Sequence, residues 1–156
     1  MTISNEVILN SVADIKDYLV NTRRYLHENP ELSGEEFETS KFLKEEVKKL
    51  NLPIEEVDGT GFYAILDTKK PGKTLGLRTD IDALPIVEKE SNQKVKRVCT
   101  SKVAGKFHAC GHDGHMATFL GAMKVLVAHK DKLRGKIIFI FEEGEETGVG
   151  IDKMLA

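Results

Sequence analysis

The sequence predicts an α/β fold, with a mostly parallel or mixed sheet flanked by helices. Three observations carry this reading. Segments with helical apolar spacing alternate with short strand-like segments. The apolar run Ile137-Ile138-Phe139-Ile140-Phe141 has the make-up of a buried strand. Turn-forming clusters such as Asp58-Gly59-Thr60 and Lys69-Lys70-Pro71-Gly72-Lys73 punctuate the chain between them.

Taken in order, Val12, Ile15, Leu19 and Leu26 recur at helical spacing from about Val12 to His27, and Asn29-Pro30 ends the run. Ser33 ahead of Glu35-Glu36 reads as a capping signature. It opens a helix with Phe37, Phe42, Leu43, Val47 and Leu50 on one face and lysines in its last turn. Leu52 to Val57, Gly61 to Asp67 and Thr74 to Arg78 read as strands, the last running into the acidic loop Thr79-Asp80-Ile81-Asp82-Ala83-Leu84-Pro85. Glu88 to Lys106 is polar, lysine-rich and aperiodic, an irregular excursion of the kind that often serves function. Met116, Phe119, Leu120, Met123, Leu126 and Val127 form an apolar helical stripe destined for the core. After the strand Ile137–Phe141, Gly148 to Leu155 reads as the start of another helix.

The chain has 156 residues, enough for one ordinary domain with a real core. Its 40% hydrophobic and 31% charged content is that of a globular chain, and a formal net charge of −2 gives no electrostatic case for nucleic acid or an anionic membrane surface. No apolar run approaches the ~20 residues of a membrane span, and the N-terminal residues lack a secretion signal. Cys99 and Cys110 read as free thiols, so the cytoplasm is the expected compartment.

The chemistry concentrates in His108-Ala109-Cys110-Gly111-His112-Asp113-Gly114-His115, which holds three of the five histidines and one of the two cysteines. Thiolate and imidazole together suit zinc and its borderline-soft neighbours. The Cys110-x-His112 spacing is not that of a closed structural finger. Glu142-Glu143-Gly144-Glu145-Glu146 follows the apolar strand directly. Soft ligands in one cluster and carboxylates in another are the parts of a hydrolytic metal centre. Ligands bind at the carboxyl ends of strands in such sheets, where Asp80, Cys110, His112 and Glu145-Glu146 are expected to converge. On this ground Asp80 and Asp82 also read as an acidic cap or turn, and Glu142-Glu143 competes with Glu145-Glu146 as the functional pair.

At four motifs in order the chain resembles the M20 metallopeptidase family, within it the amidohydrolase branch of N-acyl-amino-acid amidohydrolases, hippurate hydrolases, N-acetyldiaminopimelate deacetylases and auxin-conjugate hydrolases. The motifs are Arg24-Tyr25-Leu26-His27-Glu28-Asn29-Pro30-Glu31-Leu32-Ser33, Leu77-Arg78-Thr79-Asp80-Ile81-Asp82-Ala83-Leu84-Pro85-Ile86, Gly105 through His115, and Phe141-Glu142-Glu143-Gly144-Glu145-Glu146. The resemblance implies Cys110 and His112 as metal ligands, Glu145 as general base on a metal-activated water, and Glu146 as a further ligand. Downstream spacing to Gly148, Gly150 and Lys153-Met154-Leu155 selects Glu145-Glu146 over Glu142-Glu143. Asp80 is then an outer residue that orients a ligand or the base. Zinc, manganese, cobalt or nickel would serve, two ions in a full-length form, with a small N-acyl amino acid or peptide as substrate and a homo-oligomer as a possible assembly. The family's Gln-Pro-Ala is replaced by Glu142-Glu143-Gly144, which adds two negative charges near the base, and Ala104 stands where proline is common. Family members are more than twice as long. Residues 1–156 are therefore expected to form the N-terminal part of a zinc-peptidase-like catalytic domain, without its lid or dimerisation domain and without the C-terminal segment that carries two further histidine ligands. The alternative is a truncated, catalytically incompetent fragment that acts at most as a metal-binding or interaction module.

Overall fold

The computed structural model describes residues 3–155. Helix α1 (Asn5–Asp14) and helix α2 (Lys16–Glu28) are followed by α3 (Phe37–Lys48), strands β1 (Ile54–Glu56), β2 (Phe62–Asp67) and β3 (Thr74–Asp80), and the two-residue strands β4 (Ser91–Asn92) and β5 (Val95–Lys96). Helix α4 (His112–Ala128), strand β6 (Lys136–Glu142) and helix α5 (Gly150–Leu155) complete the order.

The sheet is mixed, in the order β1-β2-β6-β3. Of the two sheet types the sequence allowed, a mostly parallel one is therefore set aside. A short turn between β2 and β3 reverses the chain, and β6 enters between them parallel to β3. Its pairing with β2 is consequently antiparallel. Phe62, Ala64 and Leu66 of β2 lie opposite Phe141, Phe139 and Ile137 of β6, and all six are buried. This is the period-2 alternation of a sheet with one covered face. Phe119 of α4 meets Phe139 and Phe141 edge-on, with ring centroids 5.7 and 5.1 Å apart. Met116, Leu120 and Met123 of the same helix are buried beside it, as its stripe predicts.

Two helix boundaries differ from expectation. The predicted helix from Val12 begins earlier, at Asn5 behind an Ser4 cap, and is interrupted at Ile15, so two helices stand where one was expected. Ser33 does not cap α3. Its hydroxyl donates to Asp82 (2.6 Å), and the α3 amides of Glu38 and Thr39 are taken by the Glu31 carboxylate at 3.2 and 2.7 Å. A carboxylate suits the positive end of a helix dipole, which leaves the serine free for the site. The excursion Glu88–Lys106 is irregular apart from the β4–β5 hairpin.

The topology creates one functional edge. β3 and β6 are parallel, so their carboxyl ends fall together, with Asp80 opposite Glu142. The antiparallel β2 begins at that same edge, Phe62 lying opposite Phe141. Backbone bonds then join the motif segments: Ala83 to Glu31 (2.8 Å), Leu84 to Phe107 in both directions, and Ile81 to Glu142 (3.0 Å). No described helix is long and apolar enough to cross a membrane.

Candidate metal centre

Helix α4 starts at the functional edge, and its start sets the site. Gly111 adopts φ 93°, a left-handed conformation that glycine enters without strain. This turn places Cys110 before the helix and His112 on its first residue. One ligand-type atom from each of Cys110, His112 and Glu146 lies within 4.8 Å of the others. Asp80, His112 and His115 form a second group meeting the same criterion and sharing His112.

His112 is almost wholly buried, and its two ring nitrogens face different surroundings. Nδ1 meets the Asp82 carbonyl at 2.9 Å and the Asp82 carboxylate at 3.2 Å. With its proton there, the imidazole presents the Nε2 lone pair on the other side. Around Nε2 stand Asp80 Oδ2 (3.8 Å), Glu145 Oε2 (3.8 Å) and Glu146 Oε1 (3.9 Å). These separations are too long for hydrogen bonds and leave room for a cation between the groups. Glu146 Oε1 is buried and takes no hydrogen bond among the described residues.

The electrostatics call for a positive ion. Asp80, Asp82, Glu142, Glu145 and Glu146 gather at one edge, where Arg78 pairs with Asp80 at 2.7 Å and Glu142 at 3.1 Å and His112 stands among the other carboxylates. Burial would lower the His112 pKa, but the Asp82 hydrogen bonds and the charges of Asp80 and Asp82 raise it to about 9. Burial, then Glu146, Glu145 and Asp80, raise the Cys110 thiol. Without a cation these ligands hold protons, and a divalent ion would displace them. Thiol, imidazole and carboxylate together fit zinc or a similar metal.

The side chain bonded to the back of His112 is Asp82, not Asp80. Asp82 is fully buried and accepts from His112, from Ser33 (2.6 Å) and from the Glu146 amide (3.0 Å). Burial opposes its ionisation, yet these bonds hold its carboxyl below the usual carboxylate range. The carboxylate on the Nδ1 side of His112 is thus two residues beyond Asp80, the residue expected to orient a ligand or the base. Asp80 itself is on the Nε2 side. In a continued strand side chains two apart would share a face, but β3 ends at Asp80, so Asp82 beyond it is free to point elsewhere.

Of the competing glutamates, Glu145 and Glu146 face His112, while Glu142 and Glu143 do not. Glu142 pairs with Arg78 on the sheet. Glu143 is fully buried in a separate nest, where it accepts the Thr60 and Gly61 amides and the Thr60 hydroxyl and pairs with Lys153. Gly59 adopts φ 118°, where a side chain would be strained, and a Cβ there would meet the Glu143 carboxylate. Burial opposes ionisation of Glu143, but Lys153 and the Thr60 and Gly61 donors lower its pKa to about 2. The folded value is below the unfolded one, so the stability it adds is present above about pH 4.5 and is lost as pH falls toward about 2. Urea unfolding across that window should show the loss, and Glu143→Gln should flatten it. Equal slopes for both proteins would contradict this role.

A second buried network goes unmarked in the sequence reading. His27 meets Asp113 at 2.7 Å through Nδ1 and Glu88 at 3.0 Å through Nε2, and Arg23 pairs with Asp113 at 2.7 Å. It ties α2 and the excursion to the first turn of α4, next to His112. His108 is buried close by, neither ring nitrogen hydrogen-bonded among the described residues, and burial lowers its pKa to about 4. Only the alternation of acidic and histidine residues inside the motifs hinted at these contacts, since every partner is distant in sequence.

This mixed α/β frame gathers a thiol, an imidazole and carboxylates at the carboxyl ends of its strands, a donor set that would suit a divalent metal. Residues 76–156 match Peptidase family M20/M25/M40, and the chain belongs to that family of hydrolytic enzymes. It is 46% identical to thermostable carboxypeptidase 2 of Saccharolobus solfataricus over 145 residues, covering 92% of this chain and 36% of that protein. Identity to the N-acetyl-L-cysteine deacetylase of Bacillus subtilis is 39%, covering 99% and 36% of the two chains. Among solved structures, the YXEP protein of Bacillus subtilis, described as a dinuclear metal binding peptidase from the M20 family, superposes with a TM-score of 0.82 at 37% identity, covering 92% of this chain and 39% of that one. The chain spans about a third of the length of the curated relatives it matches.

Proposed function

We propose that this chain supplies three ligands of one divalent ion, and the general base, to an amidohydrolase acting on N-acyl amino acids or small peptides. The observation that carries the proposal is the convergence of Cys110, His112 and Glu146 within 4.8 Å, with Glu145 beside them. When bound, the ion would supply Lewis acidity toward the amide carbonyl and the attacking water. Cys110, His112 and Glu146 would hold it, and Asp82 orients His112 by accepting the hydrogen bond of its Nδ1–H. Glu145, the more open of the two glutamates, accepts a proton from water and returns it to the leaving amine nitrogen.

Relatives support the substrate class through their names, one a deacetylase of an N-acetyl amino acid and one a carboxypeptidase. The dinuclear description of the YXEP protein supports a second ion in the full-length enzyme. We assign its remaining ligands to residues outside this chain, which is therefore part of a catalytic domain. Zinc, manganese, cobalt and nickel all fit the donor set. The test is hydrolysis of N-acetyl and N-benzoyl amino acids by a form as long as the relatives, with each metal added, comparing the parent sequence with Glu145→Gln. Turnover by the parent alone supports the proposal. No turnover with any metal, or equal turnover by both, overturns it.

A further inference from the structure

Thr60 presents one hydroxyl to two buried carboxyl groups. Its Oγ1 is 2.8 Å from Glu36 Oε2 and 2.7 Å from Glu143 Oε2, and both glutamates are fully buried. A hydroxyl carries one proton and so donates once, while ionised carboxylates only accept. Two carboxylates therefore cannot both bond the same hydroxyl, and one of the pair must carry a proton and donate it.

The surroundings decide which. Glu143 is served as an anion by Lys153 of α5 and by the Thr60 and Gly61 amides. Glu36 forms no ion pair among the described residues. It takes the Gly144 amide on Oε1 at 2.8 Å, which leaves Oε2 for the proton. Charged groups facing this pocket are Glu143 from the loop after β6, Lys153 from α5 and Asp58 from the turn after β1.

We propose that Glu36 is a neutral carboxylic acid in the folded protein, donating to Thr60, which donates to Glu143, and that this relay is a positioning device for Glu145 and Glu146. Burial raises the Glu36 pKa, and hydrogen bonds from backbone amides, Gly144 among them, reverse only part of that effect. The Glu36–Gly144 bond is the mechanical link. Gly144 is in the left-handed region at φ 59°, and the next two residues are the glutamates that face His112. A neutral Glu36 holds that turn without adding a charge to an edge already crowded with carboxylates. The positioning role rests on the function proposed above; the location of the proton does not.

Glutamine at position 36 keeps one donor and one acceptor but cannot ionise, whereas alanine removes both. Infrared difference spectra of the 156-residue chain, parent minus Glu36→Gln at neutral pH, should show the carbonyl stretch of a protonated carboxylic acid, shifted in heavy water. In zinc titrations Glu36→Gln should stay within about two-fold of the parent, and Glu36→Ala should weaken binding about ten-fold or more. Absence of the band, or Glu36→Gln as damaging as Glu36→Ala, overturns the proposal. A parent chain that binds no zinc would fail the proposed function, while the infrared band still decides where the proton is.

Discussion

Glu145→Gln should leave the bound metal in place and lower amide hydrolysis about 10²- to 10⁴-fold, the usual contribution of a general base. The substitution conserves shape and removes only the capacity to accept a proton. Glu145 Oε2 lies 3.8 Å from His112 Nε2, and its side chain is 36% exposed against 17% for Glu146. Glu145 therefore reaches both the Nε2 side of His112 and solvent, as a group proposed to exchange protons with water must. Glu146, whose buried Oε1 takes no hydrogen bond among the described residues, should show the opposite pattern, with metal lost before chemistry. If Glu145→Gln released the ion and Glu146→Gln kept it, the two roles would be exchanged.

Replacing His112 by alanine should abolish measurable zinc binding, and Asp82→Asn should weaken it about ten- to a hundred-fold. His112 is where both candidate ligand groups meet, so its loss empties each of them. Asp82 stands on the Nδ1 side of His112, away from Nε2. It accepts from His112, from Ser33 and from the Glu146 amide, so it positions two of the proposed ligands at once. Asparagine cannot accept all three bonds as a carboxylate does. Isothermal titration of zinc into the three proteins separates the cases. Equal affinity in Asp82→Asn and the parent would remove the orienting role.

Much of this was legible in the sequence because it is local. The apolar run Ile137–Phe141 and the stripe from Met116 to Val127 follow from side-chain periodicity, and the core takes Ile137, Phe139 and Phe141 of the first and Met116, Phe119, Leu120 and Met123 of the second. Cys110 and His112 stand out because their chemistry is dense within a few residues. What stayed hidden depends on partners far along the chain. Ser33 reads as a helix cap until Asp82, 49 residues away, takes its hydroxyl. Glu36 reads as a capping glutamate, yet it is buried against Thr60 and Gly144. Glu142 and Glu143 look equivalent to Glu145 and Glu146 in the sequence. Only the left-handed turn at Gly144 sends the second pair toward His112 and leaves Glu143 in its own nest. Asp80 and Asp82 could not be ranked without knowing that β3 ends between them.

The central claim is that Cys110, His112 and Glu146 close on one divalent ion. Cobalt titration of the purified chain tests it most directly, because a thiolate bound to cobalt gives a charge-transfer band that oxygen and nitrogen ligands do not. We expect the band to grow to saturation in the parent, to vanish in Cys110→Ser and to be lost with binding itself in His112→Ala. Cobalt bound without that band, or a band that survives Cys110→Ser, would place the ion elsewhere and contradict the assignment.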